Sequence, residues 1–318
     1  MKTYETFYFT LKEIKPGIYA AIAKDGTGAF SNAGVVDLGD DLLIFDAFSV
    51  PAAAQALRDL AEEITGKPVK YLFNSHWHGD HTFGNQVFSD VTIISTSLTR
   101  QLHMERNVID DPIKEYEETK AHVEGLRKLA EAETDPINKM SLEHQYAEMA
   151  CVTEAIPTMV MTYPNMIFED HLTVHGSKRS VELLCYGAGH TPSDAILYIP
   201  EEKVAFMGDL LTVNMHLPIF DPYSFVDNHE HILKLDIDVY VPGHGDICDK
   251  NGFMNLNQYL YHLIEISEKA VQQGLTLEQV IEIGVAKAYS HWRGIDGPRR
   301  TLTVTYEKAK EKLASAVK

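Results

Sequence analysis

Between Phe73 and Asn85 the chain reads FNSHWHGDHTFGN, which places His76, His78, Asp80 and His81 within six consecutive positions. Imidazole is the commonest protein metal ligand, and carboxylate is a second good one. His76 and His78 are two apart directly after an apolar run, so in an extended turn both can point to one side. Asp80 and His81 follow as the chain turns through Gly79. Four ligand-type side chains on one loop suit two adjacent metals better than one tetrahedral ion. Further candidates stand downstream: His190 in GAGHTPSD, Asp209 in FMGDLL and His244 in VPGHGD, each after an apolar run and beside glycine. Alone, His190 reads as a hydrogen-bonded loop histidine and Asp209 as a turn residue. Together with the first cluster, they read as ligands converging on one rim.

The elements that must position these residues are legible in the apolar pattern. GIYAAIA, AGVVDLG and DLLIFDAF are short runs bounded by glycine or charge and read as consecutive strands. A helix follows over 49–66, with Ser49 as its cap, Pro51 in its first turn and Gly66 at its end. PVKYLFNS is a strand that delivers its end into the histidine cluster, and VTIIST is another. Strand–helix–strand order predicts an α/β fold. From about 98 to 164 the chain is rich in Glu, Lys, Ala, Leu and Met, which predicts a helical insertion. Six of the ten methionines lie between Met104 and Met166. They read as helix core, or as an adaptable apolar wall over the site or a homodimer contact. Strands resume over 166–176, 179–187, 194–200 and 203–211, then a helix over 224–235 and a strand over 238–246. A helical tail occupies about 252–318, with Leu256, Leu260, Leu263, Ile264 and Val271 on one face and a capping box at Thr276–Gln279. One domain over 1–318 is the simplest organisation.

Composition narrows the function classes. The net charge is −18, from 46 acidic and 28 basic side chains, so nucleic acid is a poor partner. The N-terminus lacks the apolar core of a signal peptide, and no run is long enough to span a membrane. Cys151, Cys185 and Cys248 are an odd count without CxxC spacing, which fits a reducing cytoplasm.

HWHGDH, GHTPSD, GDL and PGHGD, in that order, together with Asp46 in LLIFDAF, resemble the metal motifs of the metallo-β-lactamase superfamily. The resemblance covers about 17–246 and leaves the insertion and tail outside. It implies a four-layer αβ/βα sandwich with two divalent metal ions on one edge. Zinc is the first expectation, with iron or manganese also compatible with N/O ligands. His76, His78 and His190 would hold one ion and Asp80, His81 and His244 the other. Asp209 would bridge them, and Asp46 would orient the histidine loop from behind. Two such ions share a water and lower its pKa, and the resulting hydroxide attacks an electrophilic carbonyl, with Asp80 accepting or relaying the proton.

The expected activity is hydrolysis of a small ester, lactone, thioester or amide, with weak β-lactam cleavage as a side activity. A familiar group of zinc β-lactamases carries cysteine where this chain has Asp209, and usually lacks the His81 ligand, so a dedicated antibiotic role is not implied. The alternatives are a phosphodiesterase of the same fold and a single-iron dioxygenase. The segment TVNMHLPIFDPYS is the expected pocket wall, with His216 and Tyr223 as hydrogen-bond donors to a substrate oxygen or as ordinary loop packing. Trp77 would pack under the metals or line the mouth. His229 and His231 read as a solvated helix face.

Overall fold

Strands come first and pair in the order in which the chain makes them. β1 (Thr3–Glu5), β2 (Phe9–Lys15), β3 (Ile18–Ala23), β4 (Ala33–Asp37) and β5 (Leu42–Phe45) form an antiparallel series. The structure is a computed structural model and describes residues 2–294 and 296–316. Helix α1 (Pro51–Thr65) crosses over to β6 (Val69–Phe73), which joins β5 in parallel. The short α2 (Gly79–Thr82) and a 3-10 turn lead to β7 (Thr92–Thr96), again parallel. Three helices follow, α3 (Ser97–Arg106), α4 (Pro112–Ala132) and α5 (Pro136–Ala155), before β8 (Met166–Phe168) completes an eight-stranded sheet.

The second sheet has five strands: β9 (His171–His175), β10 (Ser180–Gly187), β11 (Asp194–Ile199), β12 (Val204–Phe206) and β13 (Val239–Val241). Its pairs are antiparallel except β12–β13, which is parallel because α6 (Pro222–Ile232) lies between them in sequence. Helices α7 (Lys250–Gln272), α8 (Leu277–Ile283) and α9 (Arg299–Ala316) close the described chain.

Three apolar clusters make this a helix–sheet–sheet–helix stack. Val36, Phe45, Phe73, Val181, Leu197 and Phe206 fill the space between the sheets. Leu57 and Ala61 of α1 pack on the outer face of the first sheet. Phe225, Phe253, Leu260 and Leu302 cover the second. β4 and β5 are buried at every residue, as strands covered on both faces must be.

The insertion is helical, and its hairpin is set by local chemistry. Asp111 before Pro112 and Asp135 before Pro136 each cap a helix, accepting from two backbone N–H groups while proline occupies the first turn. Asp221 before Pro222 does the same for α6. The capping box at Thr276 and Gln279 is present as expected. Glu148 on α5, 1% exposed, accepts from the N–H groups of Gly26, Thr27 and Gly28 at 2.6, 3.2 and 2.8 Å, tying the insertion to the β3–β4 loop.

Three local expectations are corrected. Ser49 does not cap α1: Val50 holds that position with no side-chain bond, and Pro51 and the left-handed Gly66 define the ends. Residues 166–176 are not one strand but β8 and β9 in different sheets, with Glu169 and Asp170 as the crossing. The polar N-terminal segment, to which the apolar pattern assigned no element, forms β1 and β2. Among the described residues, no helix is long and apolar enough to cross a membrane.

Candidate metal centre

β5, β6 and β7 are parallel, as are β12 and β13, so the loops at their C-terminal ends collect on one edge of the stack. Asp46 follows β5, the histidine loop follows β6, Asp209 follows β12 and His244 follows β13. His190 joins them from the β10–β11 loop, which Asp194 shapes by accepting from the N–H and hydroxyl of Thr191 at 2.9 and 2.7 Å. Burial pushes the Asp194 carboxyl up to about 7.

Outer hydrogen bonds decide which way each imidazole faces. Asp46 is fully buried in a left-handed turn at φ 57°. Its Oδ1 accepts from the Ser75 N–H at 2.8 Å, and its Oδ2 accepts from the Ser75 hydroxyl at 2.8 Å and from His81 Nδ1 at 2.7 Å. Having given its proton to Asp46, the Ser75 oxygen accepts from His76 Nδ1 at 3.0 Å. His190 Nδ1 donates to the Pro218 carbonyl at 2.6 Å, and His244 Nδ1 to that of Phe30 at 3.2 Å. Each of these four rings therefore turns its Nε2 inward. His78 is reversed and presents Nδ1, 3.1 Å from His76 Nε2 and 2.8 Å from His190 Nε2.

The inward atoms fall into two groups. Those of His76, His78, His190 and Asp209 lie within 4.8 Å of one another, and so do those of Asp80, His81 and His244. Asp209 faces both. Its Oδ2 is 3.2 Å from His190 Nε2, and its Oδ1 is 3.4 Å from the Nε2 atoms of His81 and His244. Asp80 Oδ2 stands 3.2 Å from His244 Nε2 and 3.4 Å from His81 Nε2. Close approach of Asp209 depends on Gly243, where a Cβ would lie 2.1 Å from Oδ1.

This donor set fits divalent cations. With their Nδ1 atoms committed to hydroxyl, carboxylate or carbonyl oxygens, His76, His81, His190 and His244 crowd their Nε2 atoms against one another, His78 and the carboxylates. His81 Nε2 and Asp209 Oδ1 are buried without a hydrogen-bond partner. A buried polar atom without a partner is costly, and a cation between such atoms removes the cost. The protonation balance differs between the groups. Burial, then the neighbouring His81 and His78, holds His76 well below its ordinary value. Burial and His190 hold His78 down to about 3, and burial lowers His190 as well. Burial also acts against charge on His81 and His244, but carboxylates win: Asp80, Asp46 and Asp209 hold His81 well above its ordinary value, and Asp209 and Asp80 lift His244 to about 10.

A cavity of about 270 Å³ opens over these atoms, with His78, Asp80, His190, Asp209 and His244 in its wall. His144 of α5 also reaches it, its Nδ1 3.3 Å from Asp25 Oδ1, and so do Arg293 and Arg300. His216 lines the cavity as expected, although its Nδ1 is bonded to the Tyr259 hydroxyl at 2.7 Å. Tyr223 does not join it: its hydroxyl donates to Glu268 at 2.9 Å, in a surface groove beside Lys308 and Lys312. Trp77 packs edge-on against His78 and lines a groove next to the mouth with Arg300 and Phe220. The solvated-face expectation fails for His229, which is fully buried and donates from Nε2 to the Leu210 carbonyl at 2.7 Å; His231 is exposed. Ser75, Phe30, His144, Arg293 and Arg300 carry no motif signal in the sequence, because chain folding alone brings them to the site.

Two stacked sheets flanked by helices, with a histidine–aspartate centre at the strand ends, define a class of metal-site α/β proteins. The chain belongs to the metallo-beta-lactamase superfamily, whose family model matches residues 26–244. Its structure is similar to the metallo-beta-lactamase from Pontibacter korlensis, with a TM-score of 0.57 at 16% identity over 79% of this chain and 98% of that one. It is similar to a double mutant of the sec-alkyl sulfatase PisA1, with a TM-score of 0.67 at 15% identity over 94% of this chain and 50% of that one. TMB-1 gives a TM-score of 0.56 at 15% identity, over 80% and 97%. At such identities the likeness is one of fold.

Proposed function

We propose that this chain is a two-metal hydrolase acting on the carbonyl of a small ester, lactone, thioester or amide. The observation that carries the reading is the split carboxylate of Asp209, one oxygen toward each group of ligand-type side chains. His76, His78 and His190 would hold one divalent cation, and Asp80, His81 and His244 the other. When bound, such a pair supplies Lewis acidity, which polarises a substrate oxygen and acidifies a water.

The chain's own groups do the rest. Asp46 and Ser75 hold the Nδ1 protons of His81 and His76, so Nε2 is the atom each ring would offer to a cation. Asp80 is the carboxylate most open to the cavity, with 15% of its side chain exposed against 5% for Asp209 and none for Asp46. It is therefore the group able to take a proton from the attacking water and pass it to the leaving group. Phe30 and Leu217 give the cavity apolar wall beside these groups.

The test is a panel of esters, lactones, thioesters, amides, β-lactams and phosphodiesters, assayed with zinc, manganese and iron, alongside metal analysis. The expected result is carbonyl hydrolysis with two metals per chain. Activity confined to phosphodiesters or alkyl sulfates, the latter being the substrates named for the sulfatase of similar fold, would replace the substrate class. Oxygen consumption with a single iron would replace the reaction.

A further inference from the structure

The helical insertion gives the cavity a wall of its own. Helix α5 lays Ser141, His144 and Gln145 along it. Ser141 is already committed: its hydroxyl donates to the Ile137 carbonyl at 2.8 Å and accepts from the Gly294 N–H at 3.0 Å. His144 and Gln145 are not. The His144 ring lies against that of Phe30, with centroids 5.2 Å apart, and Phe30 in turn lies 5.3 Å from the ring of His244. His144 thus stands one aromatic ring away from the ligand cluster. Its Nδ1 is closed to solvent, with Asp25 Oδ1 at 3.3 Å. Among the described residues, neither His144 Nε2 nor the Gln145 amide makes a hydrogen bond.

Charge is balanced along this wall. The Asp25 carboxylate that faces His144 also takes Arg293 Nη1 at 2.9 Å. A carboxylate only accepts, so the proton of a neutral imidazole belongs on the nitrogen that faces it. Burial, helped by Arg293 and His244, lowers the proton affinity of His144 against the pull of Asp25, so the ring is neutral. Nε2 then carries a lone pair, and the neighbouring Gln145 offers an amide N–H and an amide oxygen. A neutral acceptor beside a neutral amide matches a neutral donor. We infer that the substrate carries a hydroxyl or an amide N–H a few bonds from its scissile carbonyl, received by His144 Nε2 with Gln145 completing the contact. Asp25 is the positioning residue behind His144. The inference rests on the hydrolase reading for the scissile carbonyl, but the donor subsite stands on α5 and Asp25.

The test uses two pairs of 4-nitrophenyl esters. The 3-hydroxybutyrate is compared with the 3-methylbutyrate, and the 3-acetamidopropanoate with the 5-oxohexanoate, so that a methyl or methylene replaces the donor within each pair. The metal-loaded protein is expected to favour the donor in kcat/KM by about tenfold or more in at least one pair. The pair that shows it tells a hydroxyl from an amide N–H. In His144→Phe, which keeps a ring against Phe30, the ratio collapses toward one. His144→Gln keeps an acceptor and retains part of it, and Gln145→Leu lowers it. Asp25→Ala, at a carboxylate 65% exposed, lowers it too, because nothing then favours the proton on Nδ1. A ratio near one in both pairs for the wild type, or an unchanged ratio in His144→Phe, overturns the inference. An unchanged ratio in Asp25→Ala overturns the positioning role. If no ester is cleaved, the hydrolase reading fails separately, and calorimetry with the four free acids decides the subsite. Preferential binding of a donor-bearing acid that is lost in His144→Phe supports it. No preference, no binding, or a preference that persists in that variant overturns it.

Discussion

Asp46 and His81 meet with 2.7 Å between carboxylate Oδ2 and imidazole Nδ1, both side chains wholly out of solvent. The same carboxylate holds the backbone and hydroxyl of Ser75, and through that hydroxyl His76. One residue that faces neither group of inward atoms thus orients a ring in each.

Asp46→Asn is therefore expected to fold but to bind metal about 10- to 100-fold more weakly. An amide offers His81 an N–H where it needs an acceptor. Competition with a chromophoric chelator measures the loss, and wild-type affinity in the folded variant would remove Asp46 from this role.

Metal-free protein should show the reverse of the usual histidine penalty. The folded value of His244 lies at about 10 against an ordinary 6.5, and that of His81 is also raised. Their stabilisation is fully present below pH 6.5 and is lost as pH rises through about 10. Thermal unfolding of chelator-treated protein should therefore fall in Tm over this window. Metal binding must displace these protons, so affinity should rise with pH. Calorimetry in buffers of different ionisation enthalpy should detect proton release.

Asp209→Ala should lower turnover by at least about a hundredfold, since it removes the one carboxylate shared by both groups. Gly243→Ala should act in the same direction without touching a ligand, because its methyl would lie 2.1 Å from Asp209 Oδ1. Turnover at the wild-type level in Asp209→Ala, with two metals still bound, would refute the bridging role.

Glu148→Ala should destabilise the fold by about 1–3 kcal/mol, as it strips three backbone N–H groups of their acceptor. Glu148→Gln keeps an acceptor and should cost less. Since α5 carries Ser141 and His144 to the cavity, KM should rise more than kcat falls. Urea unfolding and steady-state kinetics separate the two effects.

The convergence of the ligand-type residues was legible from local order. His190, Asp209 and His244 each follow a strand and lie beside glycine, and the parallel strands before the histidine loop, Asp209 and His244 must release their ends on one edge. Asp-Pro pairs and the Thr276 capping box likewise mark helix starts wherever they occur. Ser49 misled because its polar side chain suits a cap, yet the buried Ala29 carbonyl takes its N–H and the helix begins one residue later. His229 misled because helical charge patterning does not reveal a carbonyl, that of Leu210, waiting inside the core.

The amino-acid sequence alone marked an α/β fold and seven ligand-type positions, because these rest on short-range spacing and strand periodicity, and the order of its motifs carried the resemblance that implied the family and the two-sheet stack. Tertiary structure decided the rest: the tautomer of each ring, the split of Asp209 between two groups, the displacement of Tyr223 to another groove, and the cavity wall of His144, Arg293 and Arg300. Those relations join residues 100 or more apart in many cases, such as Glu148 with Gly28 and Arg293 with Asp25. No local pattern encodes which distant side chain will satisfy a buried polar atom; only the closed chain supplies its partner.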